Sequence, residues 1–156
     1  MSLNSVKEEF KKYGIEDRIL IFDDTSATVH DASLRLNCKE AEIAKTMSFL
    51  VDDKVVIIVL AGDAKIDNSK YKHYFKAKAK MIPFESVEEL TTHQVGGVCP
   101  FGLKEGTPVY LDVSLKRFSY VYPACGSPNS AIKLSIEELE KYSNYKEWID
   151  VSKIVE

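Results

Sequence analysis

The stretch KTMSFLVDDKVVIIVLAGD, from Lys45 to Asp63, decides the fold of this chain. It contains two apolar runs, Thr46 to Val51 and Val55 to Leu60, separated by a short acidic turn. Because both runs have the length and the β-branched composition of buried strands, the stretch predicts an antiparallel hairpin. The rest of the predicted fold is arranged around this hairpin.

The segment before the hairpin predicts a helix, a strand and two short helices. Ser5 and Glu8 form a capping-box pattern at the start of the first helix, and Gly14 ends it. The elements that follow are a buried strand over Arg18 to Phe22 and short helices over Ala32 to Leu36 and Lys39 to Ala44.

The segment after the hairpin alternates between short helices and short strands. The first predicted helix runs from about Ser69 to Lys76, and Ser86 with Glu89 suggests the cap of a second. Three strands are predicted over Pro108 to Leu115, Phe118 to Ala124 and Ser130 to Leu134, and Ser135 with Glu138 caps a final helix.

This order of elements predicts an α+β fold in one domain, residues 1–156, with a curved or barrel-like mixed β-sheet flanked by helices. The length of 156 residues is sufficient for one hydrophobic core. An apolar fraction of 45% and a charged fraction of 29% are ordinary for a globular protein, and no apolar run is long enough for a membrane helix.

The three cysteines, Cys38, Cys99 and Cys125, contain no C-x-x-C pair and have no histidine at ligand spacing. We therefore expect no metal site and no cofactor, and reduced thiols in a cytoplasmic protein. The first residues show no charged segment followed by an apolar one, so we expect no secretory signal.

The lysines are unevenly distributed in a chain of formal net charge −3. Six of them lie between Lys65 and Lys80, against a single acidic residue. Lys72, Lys76 and Lys80 are spaced i, i+4, i+8, so a helix would place them on one face, as a phosphate-binding ridge requires. A solvated helix face explains the same spacing equally well.

Three places could carry chemistry. Lys45 begins the hairpin, where its charge could project into a cleft and meet a carbonyl, carboxylate or phosphate. The run HQVGGVCPFG, residues 93–102, holds three of the seven glycines, and amides around Gly96, Gly97 and Val98 could donate to an oxyanion, with Pro100 fixing the exit. The third is the turn CGSPNS, residues 125–130. For both turns, a simple chain reversal is the alternative.

His93 and Cys99 lie in the glycine-rich run and raise the alternative of a thiol nucleophile. No third residue that would orient such a pair stands out in the sequence. We therefore favour the backbone of the run over these two side chains.

Four segments of the sequence resemble, in order and spacing, the YbaK-type aminoacyl-tRNA deacylases, which are related to the editing domain of bacterial prolyl-tRNA synthetases. The segments are AEIAKTMSFLVDDKVVIIVLAGD, THQVGGVCPFGL, PVYLDVSL and GSPNSAIKLSIEEL, and the resemblance runs from about residue 29 to 139. One departure is Ala131, where several members have an acidic residue.

The resemblance implies a freestanding enzyme that hydrolyses the ester of a mischarged tRNA, with a small amino acid such as alanine, cysteine or serine on tRNA-Pro or a related tRNA. It implies a water attack helped by positioning and by a backbone oxyanion cradle. By residue, it implies catalytic roles for Lys45, Gly96, Gly97, Val98 and Pro100, and substrate-binding roles for Thr46, Phe101, Gly126 and Ser127.

The partners implied are tRNA, bound through Lys72, Lys76 and Lys80, and a synthetase as a candidate second partner, with no membrane and no DNA. Two alternatives remain open at this point: a catalytically idle tRNA-binding module, and a protein that binds a small metabolite or nucleotide. Retention of Lys45 together with the intact glycine run favours the enzyme over the idle module.

Overall fold

The computed structural model describes residues 2–23, 28–95 and 97–155. It contains five α-helices and ten strands among these residues. The helices are α1 Ser2–Tyr13, α2 Val29–Leu36, α3 Asn68–Phe75, α4 Val87–Thr91 and α5 Ile136–Ser143. The strands are β1 Leu20–Ile21, β2 Ile43–Val51, β3 Lys54–Ala61, β4 Ala64–Ile66, β5 Val109–Asp112, β6 Tyr120–Pro123, β7 Ser130–Ala131, β8 Leu134–Ser135, β9 Glu147–Ile149 and β10 Ser152–Ile154.

The main sheet has six strands in the order β8-β6-β2-β3-β5-β9 and curls into a half-barrel. Its centre is the antiparallel pair β2 and β3, flanked by β6 parallel to β2 and by β5 parallel to β3. Two small antiparallel sheets, β1 with β7 and β4 with β10, complete the fold. The predicted α+β architecture with a curved mixed sheet is confirmed.

The β2–β3 hairpin follows the sequence prediction closely. The strands pair continuously from Ala44 opposite Ala61 to Val51 opposite Lys54. The two residues between them, Asp52 and Asp53, have φ of 51° and 65°. Positive φ at both positions is the geometry of the two-residue hairpin turns that match the twist of a sheet, and short polar side chains tolerate it.

The core lies against the central strands, because β3 is buried from Val56 to Ala61. Helix α1 packs Val6 and Phe10 against this core, and both side chains are fully buried. Helix α5 begins with the predicted capping box, in which the Ser135 hydroxyl accepts from the Glu138 amide and the Glu138 carboxylate accepts from the Ser135 amide.

Local propensity gave wrong predictions where tertiary pairing decides the structure. Helix α1 begins at Ser2, so Ser5 lies inside it and does not cap it. The predicted strand over residues 18–22 is reduced to β1, whose two residues are exposed because β1 pairs only with the two-residue β7. The helix predicted over residues 39–44 is reduced to the 3-10 turn Glu40–Glu42, because β6 pairs with Ile43 and Ala44 and draws them into β2.

Other predicted elements are shorter than expected or have different ends. The strand predicted over residues 108–115 stops at Asp112, where the chain enters a 3-10 turn. The strand predicted over residues 130–134 is divided between β7 and β8, which belong to different sheets. Ser86 precedes α4 as predicted but makes no side-chain capping bond.

Tyr71, in helix α3, carries a testable prediction about stability. Its ring is fully buried against Phe49 and Phe75, at centroid distances of 5.2 and 4.7 Å. Its hydroxyl is buried and has no hydrogen-bond partner among the described residues, and burial raises its pKa to about 12. We expect Tyr71→Phe to raise the free energy of unfolding by about 1 kcal/mol, because it removes an unsatisfied polar group and keeps the ring.

Urea unfolding of both proteins measures this difference. A Tyr71→Phe variant that unfolds at a lower urea concentration than the wild type would show that the hydroxyl makes a stabilising contact.

Candidate active site

A cleft opens at a break in the edge pairing of β2. On the edge opposite β3, strand β6 pairs with Ile43 and Ala44, and a segment at residues 80–82 bonds to β2 from Ser48 to Leu50. Between these two partners no strand among the described residues pairs with this edge of β2. The break therefore exposes Lys45 and Thr46 to a cavity that an unbroken sheet would close.

The cleft has a volume of about 240 Å³, the size of a small organic group rather than of a whole nucleotide. Helix α2 forms one wall, β2 and β6 form the floor, and two turns close the sides. Its described lining is mainly apolar and comprises Phe22, Thr28, Val29, Ala32, Leu36, Ile43, Ala44, Lys45, Thr46, Val98, Tyr122, Ala124, Pro128, Ser130 and Ala131.

Lys45 lies inside β2 and not at a helix–strand junction, since β2 begins at Ile43. Its ammonium donates a hydrogen bond to the carbonyl of Ala64, the first residue of β4. Burial lowers the pKa of Lys45 below its ordinary value, and the negative charge of Asp63 opposes this effect. A half-buried cation with one protein acceptor retains two N–H groups that can bind a ligand.

Thr46 also lines the cleft. Its hydroxyl oxygen is buried and finds no hydrogen-bond partner in the described part of the chain. A buried hydroxyl without a partner costs free energy, and a polar group of a ligand that reaches it would satisfy it.

Asp63, whose negative charge opposes the pKa shift of Lys45, forms an ion pair with Arg117. Both guanidinium amines of Arg117 donate to the Asp63 carboxylate, at 3.0 and 2.5 Å, and Arg117 Nε donates to the carbonyl of Ser114 at 2.9 Å. The hydrogen bonds from Arg117 lower the pKa of Asp63, so this carboxylate is ionised at neutral pH. Asp63 therefore presents a fixed negative charge to Lys45.

This arrangement predicts the response of Lys45 to a neutral substitution of Asp63. In Asp63→Asn the burial of Lys45 still lowers its pKa, but the opposing carboxylate is gone. We therefore expect the Lys45 pKa to fall further below its ordinary value. The pH titration of the side-chain resonances of labelled Lys45 by NMR measures the shift directly. An unchanged or higher pKa in the variant would exclude the electrostatic coupling.

The glycine-rich run and the turn at residues 126–130 are in direct contact. A Cβ built on Gly97 would lie 2.4 Å from the Ser127 nitrogen and Cα, a distance that real side chains do not adopt. Gly97 is thus required by the close approach of two backbones. Gly96, the other glycine predicted for the cradle, lies outside the described residues.

The backbone amides of the glycine-rich run differ in whether they already donate a hydrogen bond within the protein. The Gly97 amide donates to the carbonyl of Gln94 at 2.9 Å, so it cannot serve as an oxyanion donor without losing this bond. Val98 lines the cleft, and its amide makes no hydrogen bond to another described residue. Of the predicted amide donors that the structure describes, Val98 is the one that remains available.

Pro100 and Phe101 do not reach the cleft. Both are buried, and the ring of Phe101 packs against Phe10 of α1 with centroids 4.8 Å apart. The predicted contact of Phe101 with substrate is not supported by this position, because the side chain belongs to the hydrophobic core. Pro100 and Phe101 thus anchor the end of the glycine-rich run in the protein interior.

The turn at residues 126–130 contributes residues other than the two predicted. Gly126 has φ of 96°, and Ser127 Oγ lies 2.8 Å from Asn129 Oδ1 and 2.9 Å from Ser130 Oγ, so both predicted residues shape the turn. Neither lines the cleft, whereas Pro128 and Ser130 do. The quoted motif contains both lining residues, but their spacing does not reveal which of them face the cavity.

His93 and Cys99 meet, as a thiol nucleophile with its base would. Cys99 Sγ lies 3.5 Å from His93 Nε2, and both side chains are fully buried. Burial lowers the pKa of His93 to about 4 and raises that of the Cys99 thiol, so both stay neutral at pH 7. Neither residue lines the cleft, and this pair therefore has a structural role.

The predicted lysine ridge is not a helix face. Lys72 lies in α3, which ends at Phe75, and Lys76 ends the helix with φ of 60°. Lys80 lies in an extended segment, and its own carbonyl accepts a hydrogen bond from the Leu50 amide at 2.8 Å. The three lysines therefore follow a turn in the chain, and the helical spacing wrongly predicted a single face.

Sequence reasoning missed the α2 wall and Tyr122 of β6, because no motif distinguishes apolar residues that line a cavity from those that fill a core. Ala131, where several relatives of the resembled family carry an acid, does line the cleft. Among the described residues there is no cluster of three histidine, cysteine or carboxylate side chains that could hold a metal ion, and no helix of the length and apolarity of a membrane span.

Comparisons of sequence and of fold with known proteins point to the same family. A protein of Bacillus subtilis (strain 168), YwhH, is 50% identical over 154 residues, which cover 98% of each chain. A proline–tRNA ligase of Bacillus cytotoxicus is 29% identical over 100 residues, which are 64% of this chain and 17% of the ligase.

The fold is also that of a crystal structure described as a proposed trans-editing enzyme for prolyl tRNA synthetase, with a TM-score of 0.87, 22% identity and 97% of each chain covered. The family model of the aminoacyl-tRNA editing domain matches residues 23–142, which include every described residue that lines the cleft except Phe22. The chain belongs to the aminoacyl-tRNA editing domain family.

Proposed function

We propose that this protein is a freestanding aminoacyl-tRNA deacylase that acts in trans, in the cytoplasm, on mischarged tRNA. The observation that carries the proposal is the cleft at the break in β2, where Lys45, Thr46 and Val98 line a small apolar cavity and the Val98 amide has no hydrogen-bond partner among the described residues. The family match supports the reaction class.

The chemistry of this cleft suits an ester that is already activated. The oxygen of a water molecule attacks the acyl carbon, the bond from this carbon to the ribose oxygen breaks, and the ribose oxygen takes up the proton that the water loses, which leaves the free amino acid and tRNA. No histidine and no cysteine is present among the described lining residues, so the reaction depends on positioning and on charge stabilisation rather than on a protein nucleophile.

In this scheme Lys45 and the Val98 amide have complementary roles. The Val98 amide donates to the carbonyl oxygen as negative charge develops on it. The Lys45 ammonium, fixed by the Ala64 carbonyl and by the charge of Asp63, orients the aminoacyl or adenosine group. Thr46 donates to a polar group of the substrate.

The size of the cavity supports a small aminoacyl side chain. A cleft of about 240 Å³ that receives the α-ammonium and the ester group as well as the side chain suits alanine, cysteine or serine better than a large side chain. Such a pocket distinguishes similar small side chains by only about 1–3 kcal/mol. The partial match to a proline–tRNA ligase supports tRNA-Pro or a related tRNA as the carrier, and makes a synthetase a candidate second partner.

Loss of the ester from a panel of mischarged tRNAs tests the proposal. The protein is incubated with tRNAs carrying alanine, cysteine, serine and a large residue such as phenylalanine, and the remaining aminoacyl-tRNA is followed against a blank without protein. We expect turnover of at least one small aminoacyl ester and none of the phenylalanyl ester. Binding of tRNA without turnover would favour the idle module, and neither binding nor turnover would favour a metabolite-binding protein.

A further inference from the structure

Phe84 is an exposed aromatic side chain in the segment that follows the pairing of residues 80–82 with β2. Its side chain is 73% exposed, the largest fraction among the large apolar side chains of the described residues, and that of the nearby Met81 is 58% exposed. Two exposed apolar side chains three residues apart suggest an apolar patch, and exposed apolar patches are typical of binding surfaces.

The pairing of β2 places this ring beside the break. The segment at residues 80–82 runs antiparallel to β2, with Met81 opposite Phe49 and the Ile82 amide bonded to the carbonyl of Ser48. Ser48 is two residues from Thr46, a rise of roughly 7 Å along a strand. The chain then passes through Pro83 to Phe84, which begins the 3-10 turn before α4.

The segment that precedes Phe84 in the chain is positively charged. Lys72, Lys76, Lys78 and Lys80 are exposed, and none of them makes an ion pair with a described residue, whereas Lys70 pairs with Asp150 at 3.0 Å. Lys72 and Lys78 flank a shallow hollow of about 380 Å³. Lys80 lies four residues before Phe84, and lysines without acidic partners together with an exposed aromatic ring are a combination by which proteins hold unpaired nucleotides.

We propose that Phe84 is a stacking platform for an unpaired base of the tRNA 3′ end, next to the nucleotide whose ester enters the cleft. Lys80 and its neighbouring lysines bind the adjoining phosphates. This inference rests on the proposed function, because it assigns the RNA contact outside the pocket. A protein surface as the partner of Phe84 would not account for the run of exposed lysines that precedes it in the chain.

The test uses an uncharged RNA hairpin that carries an acceptor stem and an unpaired 3′ end, with 2-aminopurine at the penultimate position. Stacking on an aromatic ring quenches the fluorescence of this base. We expect wild-type protein to quench it and Phe84→Ala to abolish the quenching and weaken binding about 5-fold or more. Phe84→Tyr retains both effects, and Phe84→Leu, which is apolar without a π face, loses the quenching.

Two further variants separate stacking from other contributions. Tyr120→Ala removes a ring that is 46% exposed on β6 and serves as the matched control, with affinity and quenching unchanged. Lys80→Ala reduces the dependence of affinity on salt concentration, with a slope lower by about 1, whereas Phe84→Ala leaves the slope as it is.

Equal quenching and affinity for wild type and Phe84→Ala, or no quenching by either, would overturn the platform. Ester hydrolysis by the wild type in the same preparation decides the proposed function separately. A Phe84→Ala variant that deacylates normally, except when a synthetase is added, would assign the ring to a protein partner and likewise overturn the stacking role.

Discussion

Gly97→Ala is expected to remove deacylation almost completely, with a loss of at least about 100-fold in rate. The added Cβ would lie 2.4 Å from the backbone of Ser127, so the glycine-rich run and the turn at residues 126–130 must separate. This separation moves Val98 relative to Ser130 across the cleft, and a displacement of about 1 Å is sufficient to cost about 100-fold in a positioned reaction. Single-turnover rates on the preferred charged tRNA measure the loss.

The matched control for this variant is Cys99→Ala, two residues further along the run. Cys99 is fully buried and its removal leaves a small cavity, so the protein loses stability without a change in the backbone contact. We expect Cys99→Ala to keep a rate within a few-fold of the wild type at a temperature where both variants are folded. A Gly97→Ala variant with the wild-type rate would show that the contact does not shape the site.

Lys45→Met is the second change with a large expected effect, a fall in rate of about 100-fold, because the group that orients the substrate is lost and a misplacement of about 1 Å costs about this much in a positioned reaction. Burial already disfavours the charged form of Lys45, so the apolar replacement leaves the fold intact and the melting temperature equal to or above that of the wild type. Rate and thermal unfolding are measured on the same samples.

Lys54→Met provides the comparison for Lys45→Met. Lys54 is exposed at the start of β3, opposite Val51, and lies at the turn end of the same hairpin. We expect its loss to change neither rate nor melting temperature by a measurable amount. If Lys45→Met deacylates as fast as Lys54→Met, Lys45 has no part in the reaction.

The parts of the fold that sequence predicted correctly are those in which local signals and tertiary structure agree. The β2–β3 hairpin combines continuous apolar strands with two residues that accept positive φ, and α5 begins with a capping box that forms as expected. The segment 39–44 has a helical pattern, but its last two residues belong to β2 because they pair with neighbouring strands.

The candidate site was predictable in its parts but not in its geometry. Lys45 and the glycine-rich run were identified from sequence, and Gly97 indeed meets the 126–130 turn. The break that opens the cleft was not predictable, because it depends on the pairing of β2 with residues 80–82, which lie thirty or more positions further along the chain. The sequence likewise did not show that Phe101 packs in the core, because its contact with Phe10 of α1 joins distant parts of the chain.

The central claim is that the cleft at the break in β2 receives the aminoacyl end of tRNA. The most direct measurement is the ¹⁵N–¹H NMR spectrum of the protein titrated with 3′-alanylamino-3′-deoxyadenosine, an analogue in which a stable amide replaces the ester. The account predicts that the amides of Thr46, Val98 and Ser130 shift together, with the Lys45 side chain. Shifts confined to the open groove between Val55 and Lys146, or no saturable shift at any concentration, would contradict it.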